Sequence, residues 1–305
     1  MSDTKYDVLT IGNAIVDIIA KTDDAFLVEQ DITKGGMTLI DMNRAEQLYS
    51  DMGPAIETSG GSAGNTAAGI ATIGVDFETP PLDYGETTAR SMILVTPDGE
   101  RSMNTYLGAC TKLSAKDIDH EVVAQSKITY FEGYLWDPAD AKDAIREAAR
   151  IAHENDRLVA MTLSDDFCVD RYRDEFLELI RSGAVDICFA NESEIKSLYQ
   201  TSDLNTAVAA IREDCNLSIV TMSENGSMVI TREKTGTVDA QPIDELVDTT
   251  GAGDLYAAGF LYGLTNGREL GECATLGSIA AAEVIQHIGP RPQASLKELA
   301  EQLGL

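Results

Sequence analysis

From about residue 126 onward, short apolar runs alternate with helical stretches, and no other feature narrows the fold as much. "ITYFEGYLW", "LVAMTLS", "VDICFAN" and "LSIVTMS" have the length of strands. "DAKDAIREAARIAHEN", "DRYRDEFLELIRS" and "LNTAVAAIRED" lie between them. Parallel strands need a crossover of about a dozen residues, usually a helix, and helices on both faces keep such strands apolar throughout. The rhythm therefore predicts an α/β fold with a mainly parallel central sheet flanked by helices. "SMVITR" and "GTVDAQPI" add β structure. The C-terminal third is predicted helical over 251–264, 270–286 and 295–303.

The N-terminal third reads differently. "YDVLTIGNAIVDIIAKT" is a buried strand broken at Gly12–Asn13, then a second strand. "GGMTLID" is a short strand, "NRAEQLYSDM" a helix, and "SGGSAGNTAAGIATIG" a glycine-rich turn entering a small-residue helix. "SMILVTPDGERSMNTYL" is a hairpin around Asp98–Gly99, a dipeptide suited to a tight turn. Two insertions, near 33–41 and 76–108, would build a small β-rich appendage on one domain spanning 1–305.

The 51 Asp and Glu outnumber the 23 Lys and Arg, giving a net charge of −28. The excess is spread along the chain and leaves no basic stripe for displacing nucleic-acid counterions. The simplest account is a heavily solvated surface. Five cysteines, with no CxxC spacing and no Cys/His cluster, read as reduced thiols rather than a zinc site. "MSDTKYD" lacks a signal-peptide core, and no apolar run reaches the ~18 residues of a bilayer span. The expectation is a cytoplasmic protein with a small-molecule ligand, no nucleic acid and no membrane.

Five stretches carry chemistry, and each has a plainer alternative. In "DTTGAGD" small residues open a helix whose free N–H groups attract anions, and Asp254 follows in the first turn. A carboxylate there can take a hydroxyl proton while the N–H groups hold phosphoryl charge; it could equally just complement the helix dipole. In "GGSAGN", Gly60 and Gly61 permit close approach and Asn65 offers a donor and an acceptor, or the stretch is a loop before a helix. In "GNAIVD", Asn13 and Asp17 suit sugar hydroxyls, or are a turn Asn and a strand-end Asp. In "NESE", Asn191 and Glu194 could serve a metal or phosphate through hard oxygen ligands, a capping box, or both. In "VTMSENGS", Thr221, Ser223 and Gly226 form a nucleotide loop or a hairpin connection. Neither a GxxxxGK[ST] loop nor a GxGxxG fingerprint occurs, which disfavours a dinucleotide-dependent oxidoreductase.

Together, "DTTGAGDLYAAGFL" and "GGSAGNTAAGIATIG" resemble the two signature regions of the ribokinase-like, or PfkB, carbohydrate kinases. The resemblance covers nearly the whole chain. "NTYLGA", "FEGYLWD" and "AAAEVIQHIGPRP" look most like the bacterial adenosine-kinase-like members. It implies a ribokinase-like fold whose β appendage is a lid, often a dimer contact as well, so the chain would be a monomer or a lid-mediated homodimer. It implies an ATP-dependent phosphotransferase acting on a primary hydroxyl of a nucleoside, with adenosine to AMP favoured. Alternatives are a sugar kinase for ribose, fructose or a keto-deoxy acid, and a non-catalytic nucleoside sensor. Asp254 would be the base and Gly251, Ala252 and Gly253 the anion hole. Asn13, Asp17, Gly60, Gly61 and Asn65 would hold the acceptor. Asn191 and Glu194 would organise Mg²⁺ through water, and Thr221, Ser223 and Gly226 would line the ATP site. Asp248 and Thr250 resemble a monovalent-cation loop, with K⁺ as an optional cofactor. Arg101 resembles an arginine that approaches the phosphates, or is a surface hairpin charge. Two departures stand out. Ser223 replaces the usual glycine, and "GIATIG" runs straight into "VDFETPP" where relatives carry a further strand and helix. A piece absent from the sequence accounts for that better than a true deletion, because the other motifs are intact.

Overall fold

A computed structural model describes residues 4–71, 76, 85–302 and 304. The chain opens with β1 (Tyr6–Ile11), β2 (Ile15–Lys21), α1 (Asp24–Glu29), β3 (Met37–Leu39), α2 (Met42–Asp51), β4 (Ala55–Gly60) and α3 (Ser62–Ile70). It continues through the hairpin β5 (Ala89–Val95) and β6 (Arg101–Tyr106), then α4 (His120–Ala124). The alternating part follows: β7 (Ser126–Glu132), α5 (Ala139–Glu154), β8 (Leu158–Thr162), α6 (Asp166–Arg181), β9 (Ile187–Asn191), α7 (Glu192–Leu198), α8 (Leu204–Asp214) and β10 (Leu217–Thr221). β11 (Ser227–Thr231), β12 (Thr235–Val238), α9 (Ala252–Thr265), α10 (Leu270–Val284) and α11 (Leu296–Gln302) complete it.

Seven strands form the larger sheet in the order β1-β7-β8-β9-β10-β11-β12. The first five are parallel, and β11 and β12 run antiparallel as a hairpin at the edge. Successive residues point to opposite faces of a strand, and both faces are buried. Phe131, Val159, Met161, Cys188 and Val220 pack against α5 to α8 on one side. Ile128, Tyr130, Ala160, Ile187, Phe189 and Ile219 pack against α9, α10 and Ala63 of α3 on the other. That explains the unbroken apolar runs.

Among the described residues the second sheet has five strands in the order β3-β6-β5-β2-β4. It takes β3 from the first expected insertion and β5 and β6 from the second, and draws in β2 and β4 as well. β2 continues the apolar text of β1, yet the break at Gly12–Asn13 sends it to a different sheet. β4 is an edge strand, mostly exposed, and carries little apolar signal. One face of this sheet, with Ile18, Ala20, Met92 and Leu94, buries against Leu27 of α1 and Ala45 and Leu48 of α2. α1 was not foreseen, being only six residues long; the Asp23 side chain caps it by accepting from Phe26 N. Asp17 and Arg101 lie on the opposite face, in the row pattern fixed by the β2–β5 and β5–β6 registers. In the hairpin turn Gly99 takes φ +83°. The junction after Gly74, where a further strand and helix of the relatives is missing from the sequence, lies at residues 72–75 and 77–84, outside the described residues.

Candidate active site

In a parallel sheet the carboxyl ends of the strands share one edge, and ligands bind there. Asn13 follows β1, Glu132 ends β7, Asn191 ends β9 and Thr221 ends β10. Asn191 and Thr221 are direct partners in register. The start of α9 brings Asp254 to the same edge, where it meets α3.

Asp254 is partly buried, and both its carboxylate oxygens are engaged. Oδ1 accepts from Ser62 Oγ at 2.6 Å and Oδ2 from Asn65 Nδ2 at 2.8 Å. Burial raises its carboxyl above the ordinary value; the Ser62 and Asn65 bonds and the charges of Arg101 and Arg291 oppose this. A carboxylate raised in this way is a stronger base. Gly251 caps the helix in the left-handed region at φ +79°, and a Cβ there would come within 2.7 Å of Pro290. The Ala252 N–H turns back to the Thr249 carbonyl at 3.2 Å. The N–H groups of Gly253 and Asp254 have no partner among the described residues, and a Cβ at Gly253 would meet nothing within 4 Å. The unpartnered N–H groups at this helix start are therefore those of Gly253 and Asp254, whereas Gly251 packs against Pro290 and the Ala252 N–H is already taken by Thr249.

Asp17 is buried beside this centre. Burial first, then the charge of Asp254, push its carboxyl up to about 7, while Arg291 and Arg101 pull it down. A Cβ at Gly60 would overlap the Asp17 carboxylate, and one at Gly61 (φ +88°) the Asn13 carbonyl. These glycines make room for neighbouring protein groups, a tighter reason than the ligand approach expected from sequence. Asn13 and Asn65 are 3% and 4% exposed. Each gives its Nδ2 to a carboxylate: Asn13 to Glu132 Oε1 at 2.6 Å, Asn65 to Asp254. Each is left with a buried Oδ1 that has no partner. An unpaired buried acceptor costs ~1–3 kcal/mol, so ligand hydroxyls donating to these two oxygens would recover a built-in penalty.

Two functional residues escaped the sequence reading. Glu132, 1% exposed, accepts from Asn13 N at 2.7 Å and Ala63 N at 2.9 Å besides Asn13 Nδ2. Burial raises its carboxyl to about 7 against those bonds. It pins the β1–β2 break to the start of α3, and a carboxylate closing the apolar run "ITYFE" was the available signal. Arg291 reaches Gly64 O at 2.7 Å and Ser59 Oγ at 2.8 Å, and its charge acts on Asp17 and Asp254. Its signal, an arginine between prolines in "GPRP", is weak. Arg101 acts electrostatically on the same two carboxylates, and its side chain makes no hydrogen bond among the described residues.

The remaining residues stand further out. Asn191 and Glu194 form a capping box: Asn191 Oδ1 accepts from Glu194 N at 2.8 Å, and Glu194 Oε2 accepts from Asn191 N at 2.9 Å. Glu194 is buried and its carboxyl is pushed to about 8, chiefly by burial, with Asp166, Asp165 and Asp254 adding to it. Thr221, Ser223 and Gly226 shape the β10–β11 turn, closed by Met222 N to Gly226 O at 2.8 Å; the hairpin alternative describes them structurally. Ser223 takes φ +52°, the conformation that glycine would adopt without strain. Tyr256 OH donates to Ser227 Oγ, or accepts from it, at 2.7 Å and ties this turn to α9. Asp248 is buried with Thr250: Oδ1 accepts Thr250 N and Oγ1 at 2.9 and 2.6 Å, and Oδ2 accepts Gly289 N at 3.0 Å. Among the described residues no group of three or more His, Cys, Asp or Glu could hold a metal ion by itself.

The sequence profile of the pfkB family carbohydrate kinases matches residues 65–296. A structure described as the adenosine kinase from Sinorhizobium meliloti is 59% identical, with a TM-score of 0.95, covering 98% of this chain and 99% of that one. A probable sugar kinase protein from Rhizobium etli CFN 42 is 55% identical, with a TM-score of 0.95 and 99% of both chains covered. The adenosine kinase of Saccharomyces cerevisiae is 26% identical over 328 residues, 92% of this chain and 95% of its own length.

Proposed function

The chain belongs to the pfkB family of carbohydrate kinases, phosphotransferases with an alcohol acceptor, and we propose that it phosphorylates a primary hydroxyl of a nucleoside, adenosine to AMP, with ATP as donor. The observation that carries this is the meeting of Asp254 with Asp17 and with two unpaired amide oxygens, Asn13 Oδ1 and Asn65 Oδ1. Asp254 takes the proton of the acceptor hydroxyl. Asp17, Asn13 and Asn65 hold the neighbouring hydroxyls of the ribose. The N–H groups at Gly253 and Asp254 face the transferring phosphoryl group, and Arg101 adds positive charge. The choice of adenosine rests on the adenosine kinases among the relatives, those of Sinorhizobium meliloti and Saccharomyces cerevisiae included; the Rhizobium etli protein keeps a free sugar as the second reading.

Mg²⁺ suits this donor set, since it keeps waters and binds through few carboxylates plus substrate phosphates. Glu194 with Asn191 would hold it through water, and when bound it would neutralise phosphate oxygens. Thr221, Ser223 and Gly226 would line the nucleotide. Three of the roughly four lone-pair directions of Asp248 are used internally, so K⁺ would share the remaining one with Thr250. The second sheet has its own core against α1 and α2 and acts as the lid. Those helices cover one of its faces, which supports a monomer over a dimer built there; light scattering tests this. All five cysteines are free, four of them buried, which supports a reducing cytoplasm. No described helix is long and apolar enough to cross a membrane.

The deciding experiment is ADP release from MgATP with adenosine, other nucleosides, ribose, fructose and keto-deoxygluconate offered singly, with K⁺ or Na⁺. Adenosine-dependent turnover supports the proposal. Turnover with a free sugar alone replaces the acceptor, and no turnover with any of them favours a nucleoside sensor.

A further inference from the structure

The segment after α10 carries Arg291 and is fixed to the main body at several points. Gly289 N donates to Asp248 Oδ2 at 3.0 Å, Pro290 abuts Gly251, and Glu283 Oε1 accepts from Gln293 N and Ala294 N, both at 2.8 Å. From this base Arg291 crosses to two other elements. Nη1 donates to Gly64 O of α3, and Nη2 to Ser59 Oγ of β4 in the second sheet. Ser59 immediately precedes Gly60, whose missing side chain makes room for Asp17.

Building on the kinase reading, we propose that Arg291 is a positioning residue that latches the second sheet to the start of α9 and supplies the counter-charge that lets Asp17 and Asp254 be ionised side by side. Two neighbouring, partly desolvated carboxylates repel unless positive charge sits near both. Among the described residues, the cations that act on this pair are Arg101 and Arg291. Arg101 belongs to β6 and travels with the second sheet. Arg291 belongs to the main body and stays with Asp254 whether the sheet is docked or not. Docking therefore brings Asp17 to a charge already in place. A planar fork serves two acceptors on different elements at fixed angles, which a lysine cannot do. The other groups facing Asp254 among the described residues are Ser62, Asn65, Glu132, Tyr130 and, further out, Glu194; Asp248 also acts on Asp17. None of these is a cation that could replace Arg291.

The test compares full-length wild type, Arg291→Gln, Arg291→Lys and Ser59→Ala, by kcat/KM against pH with MgATP and adenosine and by thermal unfolding without ligand at pH 5.5 and 8.5. For Arg291→Gln the acid limb of kcat/KM should move up by about one pH unit. Its Tm deficit should be at least about 2 °C larger at pH 8.5 than at pH 5.5, because folded carboxyls raised further lose stability as pH rises. Arg291→Lys should keep the acid limb and raise the acceptor KM about 5-fold. Ser59→Ala should raise that KM alone. An unmoved limb with a pH-independent Tm deficit in Arg291→Gln overturns the counter-charge. Wild-type KM in both Ser59→Ala and Arg291→Lys overturns the latch, and the lysine variant decides the matter if the glutamine variant does not fold. Absence of turnover in the wild type would refute the kinase reading instead, and the two Tm deficits would still decide on Arg291.

Discussion

Replacing Asp254 by asparagine separates its chemistry from its place in the packing. Asp254 accepts from Ser62 Oγ and from Asn65 Nδ2. Asparagine can keep both links: its oxygen faces Asn65, and its amide donates to the Ser62 hydroxyl, which rotates to accept. Little stability should be lost. The proton acceptor is gone, and general base catalysis contributes ~10²- to 10⁴-fold, or roughly 3–5 kcal/mol of barrier at 1.36 kcal/mol per decade. The expected result is a kcat lower by at least ~10²-fold, with adenosine affinity by calorimetry changed only a few-fold. A second readout checks the electrostatics. Asp254 is the second-largest cause of the raised Asp17 carboxyl, so Asp17 in the variant should ionise at lower pH. The acid limb of acceptor binding should then move down. Near-normal kcat would refute the base assignment, and an unmoved binding limb would refute the coupling of the two carboxylates.

Three further outcomes are expected. Asp17→Asn should raise the acceptor KM ~10-fold or more with a smaller change in kcat, since it removes a charged hydrogen-bond acceptor from the binding side; an unchanged KM in steady-state assays would count against that role. Glu132→Gln keeps one oxygen for Asn13 but turns a donor toward Ala63 N. Leaving that N–H unpaired should cost ~1–3 kcal/mol, about 2–5 °C in Tm for a chain of this size, and calorimetry showing no loss would remove Glu132 as the pin. The ligand-free protein should become less stable from pH 6 to 8.5. Folded carboxyls at about 7 for Asp17, about 7 for Glu132 and about 8 for Glu194 lie above their ordinary values of 3.8, 4.5 and 4.5. Their contribution is complete below the ordinary values and is lost as pH rises through the folded ones. Scanning fluorimetry with a Tm that climbs over this range would reject burial as the cause.

The sequence discloses what is periodic and what is local. β7 to β10 and their helices were legible because a two-sided sheet demands apolar runs separated by crossovers. The hairpin of β5 and β6 was legible because Asp98–Gly99 marks a tight turn. The helix start that carries Asp254 was legible because a run of small residues before an apolar pattern is a local motif. What stayed hidden is non-local. β4 pairs only as an edge strand, so its exposed residues show no alternation. Glu132 gains its meaning from Asn13, 119 residues away, and Arg291 from Ser59, 232 residues away. Gly60 looked like a ligand-approach glycine, because no sequence pattern says that Asp17 will occupy the space beside it.

The charge balance of the site leads to the last expected outcome. Asp17, Asp254, Asp248, Glu132 and Glu194 lie around this site, and among the described residues Arg101 and Arg291 are the cations that act on Asp17 and Asp254. The rest of the protein is also acidic, at −28 overall. A polyphosphate approaching this surface is repelled at long range, beyond what the start of a single helix can offset. Binding of the donor should therefore depend on a divalent cation carried with it, and more steeply than acceptor binding does. With EDTA present, calorimetry should show ATP affinity reduced ~10-fold or more while adenosine affinity stays within a few-fold. The ATP deficit should shrink as NaCl rises toward 0.5 M, because screening weakens repulsion between exposed charges. Equal ATP affinity with and without Mg²⁺ would mean that positive charge sufficient for the phosphates already resides in the chain, and the roles given to Glu194 and Asn191 would fall with it.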